Sequence, residues 1–162
     1  MSGAPSLVAP PLRRRMACWL YEALLLFALA LIATLLFSVV VQMRHALESR
    51  WLLQVYLAMV GAAYCSWFWS KGQTLAMKTW RIAIVDRHGR RVTQGRALLR
   101  YVYCAIWVIP PLAAFVSRRF TLWEVGVVFA GWVLFYGLLS RFHPQRQFWH
   151  DAWAGTRLVD AA

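Results

Sequence analysis

Apolar residues in this chain gather in four runs of about twenty, the length an α-helix needs to cross the hydrocarbon core of a bilayer. The runs lie at about 16–41, 51–70, 97–116 and 122–140. Their apolar character comes in blocks instead of alternating, so each run reads as a membrane-spanning helix. The one long polar break, residues 71–96, separates the second run from the third and divides the spans into two hairpins. The expected fold class is an all-α membrane protein with four transmembrane helices. A short β-hairpin-like segment is expected between spans 2 and 3.

Residues 1–12 read as a loose, Pro-containing tail. A signal peptide would carry an apolar core of only about 7–15 residues. The first run is roughly twice that long and holds Glu22, so it reads as a retained span. Residues 13–159 then form the transmembrane domain, with 71–96 as a basic cytoplasmic segment and 141–162 as a cytoplasmic tail. In span 2, Trp51 stands at one end and Trp67 and Trp69 at the other, where indoles favour the headgroup region. In span 3, Pro110 and Pro111 remove two backbone donors, so a kink or early unwinding is expected there. The carbonyls this frees need partners from neighbouring helices or water, so the bend is expected to face protein. In span 4, Gly126 and Ala130 form a small-xxx-small pair that permits close helix approach. Between the hairpins, residues 80–85 are rich in β-branched side chains, 86–89 form a turn cluster, and 91–93 return as a second strand. Such a two-stranded unit is marginal alone and must rest on the bundle or the membrane.

Charge fixes the orientation. Of 18 Lys and Arg, three precede span 1, eight lie between Lys71 and Arg100, and three follow span 4. The outer loops hold two each, with Arg44 and Arg50 in one and Arg118 and Arg119 in the other. By the positive-inside rule both termini are cytoplasmic. A hydrophobic fraction of 61% exceeds that of a soluble domain of 162 residues. The net charge of +12 brackets apolar runs instead of forming a basic face, which points to anionic lipid headgroups as the partner and away from nucleic acid. Cys18, Cys65 and Cys104 each fall inside a span, without metal or redox spacing, and read as buried apolar thiols.

Acids inside spans are costly and default to a functional hypothesis. Arg15 and Glu22 are seven residues apart, which sets them on one helix face about 10 Å apart along the axis. Glu22 either pairs with an Arg or Lys to fix helix packing or handles a proton or cation. Glu124, near the outer end of span 4, is expected to pair with Arg118 or Arg119. Lys71 and Lys78 flank a GQTLAM turn that lacks the glycines and context of a phosphate cradle. His150 and Asp151, between Trp149 and Trp153, point to different sides of a short interfacial element, and Asp151 is the better candidate for a polar clasp. No nucleophile with base and orienter assembles, so no catalytic residue, metal or cofactor is expected.

The pieces RRRMACWLYE, GQTLAMKTWRIAIVDRHG, GRALLRYV and RQFWHDAWAGTRLV, in this order across residues 13–159, resemble the RDD family of small bacterial membrane proteins. The family is named for one arginine and two aspartates. The resemblance puts the arginine on Arg15 and the second aspartate on Asp151. The first aspartate falls on Glu22, one methylene longer, and Ala76 stands where a glycine usually follows GQTL. It implies a multi-pass protein of the bacterial inner membrane, in a family with a few members linked to sodium/proton antiport. A polar cluster of Arg15, Glu22, Lys78 and Asp151 near the inner leaflet is the expected site. Two functions follow. One is cation/proton exchange through Glu22, which in four helices requires a homo-oligomer or membrane-protein partner. The other is a non-transporting scaffold or regulatory subunit docking through the basic segment.

Overall fold

All four apolar runs are helical. The computed structural model describes residues 9–41, 50–116, 121–142 and 147–161. Its elements are α1 (Leu12–Val41), α2 (Arg50–Ser70), α3 (Leu75–Thr79), β1 (Ile82–Asp86), α4 (Gln94–Val116), α5 (Leu122–Leu139), α6 (Trp149–Trp153) and β2 (Thr156–Asp160). Two of the described helices, α1 and α2, are long and apolar enough to cross a membrane. On α1, Leu24, Phe27, Leu31 and Leu35 are 56–65% exposed, so the chain leaves that apolar surface uncovered.

The helices approach where side chains are small or aromatic. At Gly61 of α2 a Cβ would stand 2.9 Å from the Tyr101 hydroxyl of α4, and that hydroxyl donates to the Ala58 carbonyl at 3.0 Å. At Gly137 of α5 a Cβ would meet Met16 Sδ of α1 at 3.4 Å. The Gly126/Ala130 pair makes no such approach: both residues are exposed, and nothing lies within 4 Å of a Cβ at Gly126. Nor does α4 unwind at its prolines. It stays helical through Pro110 and Pro111 to Val116. Pro111 deprives the Trp107 carbonyl of its helical donor, and Trp132 Nε1 of α5 donates to that carbonyl at 2.8 Å.

The strand pairing differs from the expected local hairpin. β1 pairs antiparallel with β2, the end of the tail, in the register Ile82↔Asp160 to Asp86↔Thr156. Residues 91–93 form no strand. The Asp86 carboxylate accepts the backbone N–H groups of His88 (2.8 Å) and Arg90 (2.9 Å) and closes the turn. Those hydrogen bonds, led by that from Arg90, hold the Asp86 carboxyl below the usual range against an opposing effect of burial. The chain then runs directly into α4, with the Thr93 carbonyl accepting from Ala97 N at 3.0 Å. Residues 91–93 are therefore committed to leading into a helix.

Side-chain amides close both edges of this small sheet. Ile84 and Leu158 face each other, and each turns its backbone groups outward. Ile84 N donates to the Gly72 carbonyl at 2.8 Å, and Gln73 Nε2 donates to the Ile82 carbonyl at 2.9 Å. On the other edge Gln147 mimics a strand, donating from Nε2 to the Leu158 carbonyl and accepting Leu158 N–H, both at 3.0 Å. Arg14, in the first turn of α1, donates to the Arg81 carbonyl at 3.0 Å and pairs with Asp160. The starts of α1 and β1 and the end of β2 are thus fastened together.

Candidate functional site

Two polar foci lie where α1, α2, α4 and α5 meet the sheet. The first is built on the tail. Phe148 in extended conformation starts α6, and this helix turns Asp151 inward until it is fully buried. Arg100, one turn and a half into α4, points to the same place and is 4% exposed. Its Nε donates to Asp151 Oδ1 at 2.5 Å, and its guanidinium lies 4.1 Å from the centre of the Trp69 ring. Burial alone would raise the carboxyl of Asp151, but Arg100 reverses this, with His150 and Arg15 adding to it, and holds the group below the carboxylate range.

His150 closes the focus from the other side. Its ring stacks between Tyr136 and Phe148, with centroids 5.6 and 5.5 Å away. The Tyr136 hydroxyl contacts Nδ1, and Nε2 stands 3.4 Å from Asp151 Oδ1. Tyr136 therefore donates to Nδ1, and the ring proton sits on Nε2 facing the carboxylate. Burial pushes the imidazole down to about 4, further lowered by Arg100 and opposed by Asp151. At neutral pH His150 is uncharged, and the buried charges are those of Arg100, Asp151 and Arg15.

Arg15 enters this focus in second rank. Asp151 attracts it electrostatically, but its guanidinium packs over the Phe148 ring at 4.7 Å, and its buried Nε and Nη1 have no hydrogen-bond partner. The residue whose side chain hydrogen-bonds the Asp151 carboxylate is Arg100, which lies inside the third apolar run and is not among the expected site residues. An arginine within a predicted span was the signal that could have found it.

The second focus is separate. Glu22 of α1, half-buried, accepts at Oε2 from the hydroxyl of Thr74, which is wholly buried. Thr74 also caps α3, accepting the Met77 N–H at 3.2 Å. The GQT stretch thus holds β1 through Gly72 and Gln73 and holds Glu22 through Thr74. Gly72 makes its turn at φ +95, a conformation suited to glycine. Cys18 and Cys65 are buried in the adjoining core and Cys104 is half-buried, all three with free thiols. The Tyr64 hydroxyl interacts with the same Glu22 carboxylate, and among the described residues no Arg, Lys or His pairs with it.

The expected four-membered cluster is therefore divided. Arg15 and Asp151 share the first focus and Glu22 belongs to the second. Lys78 is exposed at the end of α3 and joins neither acid. Glu124 completes a capping box instead, accepting at Oε2 from the Thr121 N–H (2.7 Å) and hydroxyl (2.9 Å). Its expected partners Arg118 and Arg119 lie outside the described residues. Among the described residues no group of three His, Cys, Asp or Glu gathers to hold a metal ion.

Fold and site together define a mostly helical protein of membrane type, whose tail is clasped to α4 through the buried Arg100–Asp151 pair and joins β1 in a small basic cap. The RDD family model matches residues 9–155, and the chain belongs to the RDD family. No curated protein and no solved structure gives a match.

Proposed function

We propose that this protein spans the bacterial inner membrane four times with both termini cytoplasmic, and exchanges a cation for a proton at Glu22. The pairing of β1 with β2 supports the topology. The two strands follow α2 and α5, so those helices end on the same side, and α4 and α5 cross out and back between them. Arg14 ties the start of α1 to that side as well.

One observation carries the exchange reading: Glu22 has no cationic partner among the described residues, and what surrounds its carboxylate is the neutral hydroxyls of Thr74 and Tyr64. An acid inside a span without a cationic partner defaults to a functional reading. Exchange of a cation for a proton at such a carboxylate is the chemistry of an exchanger. Four helices enclose little space, and the uncovered apolar face of α1 gives an oligomer or partner somewhere to pack. Everted vesicles from a host lacking antiporters test the reading. Added salt should dissipate the proton gradient, and Glu22→Gln should abolish this without lowering the yield of extracted protein. Wild-type vesicles indistinguishable from empty ones overturn it.

A second reading, a non-transporting scaffold or regulatory subunit, draws on the exposure of Arg87, His88, Arg90 and Arg91 on the cap. It predicts that Glu22→Gln keeps the phenotype, that neutralising residues 87–91 loses it, and that a stoichiometric partner copurifies.

A further inference from the structure

We infer that the clefts on either side of Arg87 bind the headgroup of an anionic phospholipid. One cleft, of about 350 Å³, is lined by Arg87, His88, Arg96, Trp153, Ala154 and Gly155. The other, of about 320 Å³, shares Arg87 and Trp153 and adds Arg157. No carboxylate lines either one. Asp86, next to Arg87 in sequence, is turned inward with its side chain 5% exposed. It is already engaged by two backbone N–H groups and, at 3.4 and 3.6 Å, by the side chains of Arg90 and Arg96. Arg87 thus stands between two clefts, with His88 and Arg96 on one side and Arg157 on the other. The nearest acid, Asp86, reaches only Arg96 among these side chains and lines neither cleft, and an anion is the occupant that satisfies the donors facing them.

Arg87 is set in place for this. Its Nη2 donates to the Ala152 carbonyl at 3.3 Å, and its Nε lies 3.4 Å from where a Cβ would stand at Gly155. Gly155 therefore serves twice, in its turn at φ +69 and in leaving room for the guanidinium.

What surrounds the cationic space selects a lipid over a soluble phosphate. Trp153, 51% exposed, packs against Tyr103 (5.8 Å) and Trp107 (6.2 Å) of α4. Arg96, Tyr103 and Trp107 are spaced by seven and four residues, on one face of that helix. The cleft therefore opens onto an aromatic wall, and indoles favour the headgroup level of a bilayer. Beside that wall Leu99, Val102 and Ile106 are 42–48% exposed. A phosphodiester on Arg87 and Arg96, with acyl chains along α4, uses both features. A free phosphate uses only the first.

The test is native mass spectrometry of the full-length protein in neutral detergent, titrated with phosphatidylglycerol or phosphatidylcholine. Phosphatidylglycerol should be retained preferentially. Arg87→Gln and Arg96→Gln should each weaken its retention by about fivefold. Arg13→Gln, an exposed cation outside both clefts, should leave retention unchanged. Because Arg87 also holds Ala152, Arg96→Gln is the deciding variant if Arg87→Gln lowers the melting temperature. Equal retention of the two lipids overturns the assignment, as does an equal loss with Arg13→Gln. Full displacement by millimolar inorganic phosphate overturns it in favour of a soluble anion. Glu22→Gln should keep the lipid, so this site and exchange at Glu22 stand or fall separately.

Discussion

Asp151→Asn removes the one acid that two buried arginines share. The side chains of Arg100 and Asp151 are 5% and 0% exposed, so solvent screens their attraction little. Breaking a buried pair by deleting one partner costs about 3–5 kcal/mol, because the other charge stays buried and unmatched. Here Arg15 loses its counter-charge as well, which places the cost toward the upper end. For a chain of 162 residues each kcal/mol moves the melting temperature by about 2–4 °C, so the variant should melt about 6–20 °C lower. Thermal challenge of detergent-extracted protein followed by size-exclusion fluorescence measures this directly. A second-site change identifies the partner: Arg100→Leu should recover most of the loss, Arg15→Leu much less. A fall below about 3 °C means that the pair is not what holds the tail, and equal recovery by both second-site changes means that Arg100 is not the principal partner.

Acid should loosen the same clasp through His150. Its folded pKa of about 4 lies below the unfolded value near 6.5, so the neutral ring's contribution is complete above pH 6.5 and is lost as pH falls from there toward 4. The loss amounts to about 3 kcal/mol, and melting curves of His150→Gln should be flatter across that window than those of the wild type. At the sheet edge, Gln147→Ala leaves the Leu158 N–H and carbonyl without partners, at a cost of about 1–3 kcal/mol. Amide exchange at Leu158 should accelerate while that in α2 stays unchanged, and an unmoved Leu158 would show that Gln147 does not guard this edge.

The helices were legible because each apolar run is as long as a bilayer is thick, and their ends fall within a few residues of the expected boundaries. So was the demand that freed carbonyls find partners, although it did not say that Trp132 would answer. The strand partner was not legible. Residues 91–93 and Thr156–Asp160 both carry β-branched residues, and local proximity favoured the first. What decided was Asp86, whose carboxylate closes the turn so tightly that the chain passes straight into α4. At the site, resemblance directed attention to Asp151 and Arg15. The hydrogen bond belongs to Arg100, because α6 turns Asp151 toward α4 and only a folded tail reveals that direction. Glu22 was flagged from its position alone. That it lacks a basic neighbour among the described residues required the positions of Thr74 and of the described cations.

Pairing β1 with β2 also imposes a timetable on synthesis. Some 70 residues separate the end of the first strand from the start of the second, which at 5–20 residues per second is a wait of about 4–14 s. Through that interval Ile82, Ile84 and the free edge beside them have no mate, and the ribosome is still producing the hairpin of α4 and α5. The cap therefore closes last, and in the proposed four-span topology it closes only if that hairpin has returned to the side it left. In that topology a helix inserted in the wrong sense would strand the two partners on opposite faces of the bilayer, leaving an open edge for quality-control proteases to recognise.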